Sequence, residues 1–135
     1  GSIVKLMRIE DCDDEIWDAV LDVNLKSVFL CSQVVVPYMR EQRGGRIINF
    51  TSQGFWSGGY GGSVVYAATK GGIVSMTRGL ARSLAKDKIT VNAVVPGLVA
   101  TEWRHAWAEN MAKQKGVTKE LFIEDICKAF SLASV

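Results

Sequence analysis

A phenol and an ammonium stand four residues apart at Tyr66 and Lys70. On a helix that spacing puts both side chains on one face, where they can meet. A neighbouring positive charge favours phenolate and draws a tyrosine pKa down from about 10 towards the range of a working acid/base catalyst. Taken alone, the same spacing also describes a surface tyrosine beside a solvated lysine. Ser52 lies one loop upstream; its hydroxyl can donate to a substrate carbonyl oxygen or simply form a turn. Asn24 interrupts an otherwise apolar helical face. A buried amide must find partners, either as a structural contact or in a proton relay ending at Lys70. Finally, Val95-Pro96-Gly97-Leu98-Val99, with Thr101 just beyond, ends a strand. The break frees backbone groups to face a planar ligand and adds a hydroxyl, although an ordinary strand-to-loop turn reads the same way.

These groups need elements to position them. Residues 13–41 read as a long helix that Asp13 and Asp14 can cap. Trp17, Leu21, Asn24, Val28, Cys31 and Val35 make its inner face, with Cys31 a buried thiol, and Gly44–Gly45 stop it. Arg46–Thr51 is short and rich in branched residues, the pattern of a buried strand. Gly54–Gly62, with Phe55, Trp56 and Tyr60 inside it, reads as a loop able to approach a ligand closely. A second long helix is expected over Val64–Lys86, buried through Thr69, Ile73, Met76, Leu80 and Leu84. Gly71 and Gly72 cost it roughly 1 kcal/mol each relative to alanine, which points to a backbone packed close against something. Ile89–Val95 is a second buried strand. Residues 102–115 form a polar, aromatic helix or lid with Trp103 and Trp107, and Ile123, Ile126 and Phe130 mark a last amphipathic helix. Alternating helices and strands indicate parallel strands joined by crossover helices. The fold class is therefore α/β, part of a doubly wound parallel sheet. Such sheets bind ligands at the carboxyl ends of their strands, where Ser52 stands.

The length of 135 residues suits one domain, 1–135, and 48% hydrophobic residues with a net charge of +2 describe a globular chain. The excess of base is small and scattered; Arg40, Arg43, Arg46, Lys86 and Lys88 read as solvated helix ends, so no nucleic-acid partner is expected. No apolar run reaches the length needed to span a bilayer, so no membrane partner is expected either. Cys12, Cys31 and Cys127 form no CxxC and no metal-ligand spacing, and their odd number fits a reducing cytoplasm. His105 is the only histidine, which removes a multi-histidine metal site and weakens any Ser–His–Asp arrangement.

Four motifs occur in one order: Asp22-Val23-Asn24, Ile47-Ile48-Asn49-Phe50-Thr51-Ser52, Tyr66-Ala67-Ala68-Thr69-Lys70-Gly71-Gly72 and Val91-Asn92-Ala93-Val94-Val95-Pro96-Gly97. Together they resemble the classical short-chain dehydrogenase/reductase family, in particular its 3-oxoacyl-carrier-protein reductase and sugar or secondary-alcohol dehydrogenase branch. The resemblance implies NAD(P)-dependent interconversion of a secondary alcohol and a ketone on a Rossmann-type sheet. It implies Tyr66 as general acid/base, Lys70 as the residue that lowers its pKa and holds the nicotinamide ribose, and Ser52 as the group orienting the substrate oxygen. Asn24 would hold a relay water, and Pro96, Gly97, Val99 and Thr101 would contact the nicotinamide carboxamide. NAD and NADP are equally compatible. Helices 13–41 and 64–86 would pair with a second copy in a homo-oligomer.

The family's opening TGxxxGIG turn does not occur in the chain, and the Ser52-to-Tyr66 gap is one residue longer than the family's pattern. The expectation is a truncated domain, the C-terminal half only. The alternative is a non-enzymatic oligomerisation or interaction module; a sugar-nucleotide epimerase shares Tyr-x-x-x-Lys but fits the Asn24 and Pro96-Gly97 segments less well.

Overall fold

In a computed structural model the protein is described at residues 7–59, 62–97 and 99–132, the side chains of residue 103 and residues 129–132 excepted. Tyr60, Gly61, Leu98 and the Trp103 and Phe130 side chains, all singled out above, lie outside the described residues. Two compact units divide the chain, Gly1–Pro96 and Gly97–Val135.

The first unit opens, after a short 3-10 turn at Ile9–Asp11, with α1 (Asp14–Leu21). Asp13 caps α1, its carboxylate accepting the Ile16 N–H at 2.7 Å. The expected single helix over 13–41 is interrupted: a π turn at Asp22–Lys26 separates α1 from α2 (Ser27–Glu41). A π turn adds one residue to the helical path, and each residue rotates the face by about 100°. The inner face consequently runs through Val20, Asn24 and Ser32, while Trp17 and Cys31 are exposed, against expectation.

The exposed side of this helical run is apolar as well. Asp14–Glu41 contains a stretch of mean hydropathy 1.5 and is long enough to cross a membrane by length and composition, with 22% of that stretch buried. This corrects the expectation that no apolar run reaches bilayer length: Asp22 and Lys26 interrupt the apolar residues of the helical run, but its mean hydropathy stays high. Within its unit the run packs on α4 and β1.

Strand β1 (Gly45–Phe50) pairs in parallel with β2 (Ile89–Val94), Ile47 opposite Val91 and Asn49 opposite Ala93. The crossover between them carries a four-residue helix α3 (Gly54–Ser57), where a loop was expected, then α4 (Val64–Leu84) and a 3-10 turn at Ala85–Asp87. Helices cover one face of the pair, so burial alternates along each strand. Ile47, Asn49, Ile89 and Val91 are buried, but Ile48, Phe50 and Val94 are exposed rather than enclosed on both faces. Val35, Val36, Met39, Leu80 and Ala81 pack against the core of Ile47, Leu84, Ile89 and Val91.

Of the glycine pair on α4, only Gly72 makes a close approach. A β-carbon there would stand 3.0–3.1 Å from the Leu25 methyls, whereas Gly71 faces nothing within 4 Å.

The second unit is a helical pair, α5 (Glu102–Lys115) and α6 (Lys119–Leu132), with a core of Ala108, Ala112, Phe122 and Ile126. Phe122, packed on Trp107 at 5.5 Å between ring centres, takes the place expected of Ile123, which is exposed.

Candidate active site

The site grows from the carboxyl end of β1. Strand pairing carries the chain to Phe50; Thr51 continues it by donating its N–H to the Val94 carbonyl at 2.9 Å. Ser52 then leaves the sheet, and α3 begins two residues later. The Gly54 N–H donates to Ser52 Oγ at 3.2 Å. That bond occupies an acceptor position on the hydroxyl and leaves its proton for another partner.

Helix α4 starts beside this turn. Gly59, at φ +89°, lets the chain fold against Ser63 and Ala67, where any side chain would collide with the Ser63 hydroxyl. The first turn of α4 thereby meets α3. A β-carbon built on Gly54 would lie 3.5 Å from Ser52 Oγ and 3.5 Å from Tyr66 Cε1. Serine and tyrosine thus flank one glycine.

Lys70 lies one turn further along. It is buried, at 7% exposure, and its ammonium stands 5.5 Å from the Tyr66 ring centre. Its Nζ donates to the Phe50 carbonyl at 3.3 Å. Burial lowers the Lys70 pKa from the ordinary value of 10.5, because a low-dielectric setting disfavours the cation. An ammonium has three N–H donors; the Phe50 carbonyl takes one, so the donor set fits a ligand bearing hydroxyl acceptors such as a ribose.

Asn24, 2% exposed, occupies the middle of the π turn. Single π turns recur at functional positions because they aim a side chain off the regular helical path. This one packs on α4, with Leu25 against Gly72, two residues from Lys70. Among the described residues no buried side-chain nitrogen or oxygen lacks a partner.

The residues expected to contact a nicotinamide carboxamide divide between the units. Pro96 ends the first, and its carbonyl accepts the Gln53 N–H at 3.4 Å, next to Ser52. Gly97, Val99 and Thr101 open the second. There the Thr101 hydroxyl caps α5 by accepting the Arg104 N–H at 3.2 Å.

Buried hydroxyls and amides around these groups escaped the sequence reading. Asn49 Nδ2 donates to Thr77 Oγ1 at 2.9 Å, and Thr51 Oγ1 donates to the Lys70 carbonyl at 2.7 Å. The signal was present: Asn49 and Thr51 follow Ile47 at strand spacing, so they share its buried face.

The family profile described as short chain dehydrogenase matches residues 2–112. A 3-oxoacyl-(acyl-carrier-protein) reductase of Staphylococcus epidermidis is 43% identical over 109 residues, which cover 81% of this chain and 43% of the relative. One from Thermotoga maritima is 50% identical over 98 residues, covering 71% of this chain and 37% of the relative. Among solved structures, a gluconate 5-dehydrogenase from Burkholderia cenocepacia, in complex with NADP and tartrate, aligns with a TM-score of 0.70 at 28% identity. The alignment covers 84% of this chain and 46% of that one. The chain thus spans less than half the length of the relatives it matches.

Proposed function

Because this chain belongs to the short-chain dehydrogenase family, we propose that it carries the acid/base apparatus for NAD(P)-dependent interconversion of a secondary alcohol and a ketone. The supporting observation is the convergence at Gly54, with Ser52 Oγ and the Tyr66 ring each 3.5 Å from its β position and the Lys70 ammonium 5.5 Å from that ring.

In the oxidation direction the Tyr66 phenolate takes the proton of the alcohol hydroxyl. In reduction the phenol returns a proton to the ketone oxygen. Ser52, its acceptor side engaged by Gly54, donates to the same oxygen and holds it in place. The Lys70 ammonium stabilises negative charge on the phenol oxygen, and its remaining donors would hold the cofactor's ribose hydroxyls. Bound nicotinamide supplies the hydride acceptor or donor. Pro96 would face its carboxamide, a part the family resemblance gives to Gly97, Val99 and Thr101 as well, and Asn24 would hold the water that relays protons to Lys70. Both reductases and the gluconate dehydrogenase are named for reactions of this class.

The test is Tyr66→Phe, with ethyl acetoacetate as ketone probe and NADH or NADPH as reductant. Turnover falls about 10²–10⁴-fold, the usual contribution of a positioned proton donor. Cofactor affinity, followed by fluorescence titration, stays within about twofold. A phenylalanine variant that turns over at the parent rate removes the acid/base role.

A second reading has its own support. Trp17, Val23, Phe29, Leu30, Val34 and Tyr38 leave an exposed apolar stripe along α1, the π turn and α2. A stripe of this kind suits pairing with a second copy, making the chain an oligomerisation module. Light scattering that returns the monomer mass at 100 μM removes that reading without touching the first.

A further inference from the structure

Residues 50–51 and residue 70 exchange hydrogen bonds in both directions. The Lys70 ammonium donates to the Phe50 carbonyl at 3.3 Å, and the Thr51 hydroxyl donates to the Lys70 carbonyl at 2.7 Å. Thr51 is 4% exposed and Lys70 is 7% exposed, so the exchange is made out of bulk water. The two bonds join the last residue of β1 and the one after it to the second turn of α4. The next residue along the strand is Ser52; one turn back along the helix is Tyr66.

We propose that Thr51 is a positioning residue whose hydroxyl, bonded to the Lys70 carbonyl, holds the strand end that carries Ser52 in register with the helical turn that carries Tyr66 and Lys70. This rests on the acid/base reading of those three residues.

A helix carbonyl has its own helical donor, so accepting the Thr51 hydroxyl is an additional bond. Adding it does nothing for α4 alone, but it fixes the distance between strand and helix. The neighbouring contact is weaker in this respect: the Lys70–Phe50 bond is longer and hangs on a flexible four-carbon stem. The short, branched threonine side chain has few rotamers, so its bond transmits position more rigidly. Reacting groups that shift by about 1 Å lose roughly 10²-fold in rate.

The test compares Thr51→Ala with Thr51→Ser. Both lack the methyl group and differ only in the hydroxyl; Thr51→Val serves as a second hydroxyl-free variant of near-native shape. The first readout needs no substrate: a pulse of acetic anhydride on the whole chain, with acetylation at Lys70 resolved by mass spectrometry. Loss of the bond raises Lys70 acetylation about fivefold in the alanine and valine variants, with serine close to the parent. Amide exchange of the β1–β2 ladder stays unchanged. Equal Lys70 labelling in alanine and serine variants overturns the proposal. So does a uniform acceleration of labelling and ladder exchange, which marks Thr51 as a general contributor to stability.

The second readout is kinetic, with ethyl acetoacetate and NADPH. The alanine variant loses about tenfold or more in kcat with KM within about twofold, and serine restores it. Equal kcat in alanine and serine variants also overturns the positioning role. Should the parent chain turn over no ketone, that failure falls on the oxidoreductase reading, and the acetylation result still decides Thr51.

Discussion

The interface between the strand pair and its covering helices has two ends that are built differently. At the amino ends of the strands, Ile47, Leu84, Ile89 and Val91 form a purely apolar cluster. At the carboxyl end of β1, the contact with α4 is polar: Asn49 to Thr77, Thr51 to the Lys70 carbonyl and Lys70 to the Phe50 carbonyl. Apolar contact is non-directional and holds elements together without fixing their position finely. A hydrogen bond weakens steeply with distance and angle, so it fixes alignment. One end therefore supplies cohesion and the other supplies aim. Ser52, Tyr66 and Lys70 all belong to the end that is aimed.

The largest effect that could break this division is expected at Ile89, which is 2% exposed in the apolar cluster. Ile89→Ala should cost about 2–5 kcal/mol in urea-induced unfolding, with Lys70 acetylation under native conditions unchanged. If Lys70 becomes accessible well before global unfolding, cohesion and aim are not separable.

Thr77 gives the next largest effect. Its hydroxyl donates to the Ile73 carbonyl at 2.8 Å and accepts from Asn49. Thr77→Val strands the buried Asn49 donor, at a cost of about 1–3 kcal/mol. Pairing it with Asn49→Val removes both polar partners, and unfolding of the double variant should recover most of that loss. A double variant as unstable as the sum of the two single changes would mean that the residues act through shape alone.

The contrast also explains what could be read from the sequence. Four elements were legible, β1 and β2 from their short apolar runs, α4 from its helical spacing and α5 from a segment expected as a helix or lid; each begins and ends within a few residues of expectation. The Tyr66–Lys70 pair was legible because four-residue spacing on a helix is geometry in itself. The face of the first helix was not. A π turn leaves no distinct sequence pattern, yet it turned Ser32 inward and Cys31 outward. Nor was the bare face of the strand pair legible. Apolar character in Ile48, Phe50 and Val94 states a preference for burial without naming the covering element, and α2 and α4 cover the opposite face. The threonines of the polar end were hidden for another reason. A hydroxyl in a strand can be a turn, a cap or a cross-link, and only the position of α4 decides among them.

The smallest effect sharpens the comparison most, because it concerns a polar contact at the apolar end. Arg40 Nε meets Asp87 Oδ2 at 2.8 Å, joining the last turn of α2 to the 3-10 turn after α4. The distance falls within the 2.7–3.3 Å range of the buried seam, but the two side chains are 51% and 21% exposed. Water and salt screen such a pair, so Asp87→Asn should cost only about 0.2–1 kcal/mol. Raising the salt towards 1 M shortens the screening length to about 3 Å, so that cost should shrink further in urea titrations. The Thr77→Val cost should hold steady across the same series, since its bond is neutral and lies out of reach of mobile ions. Distance alone would rank the two contacts as equals. If salt moved both costs together, burial would not be what makes the carboxyl end of the seam firm enough to aim Ser52 and Tyr66.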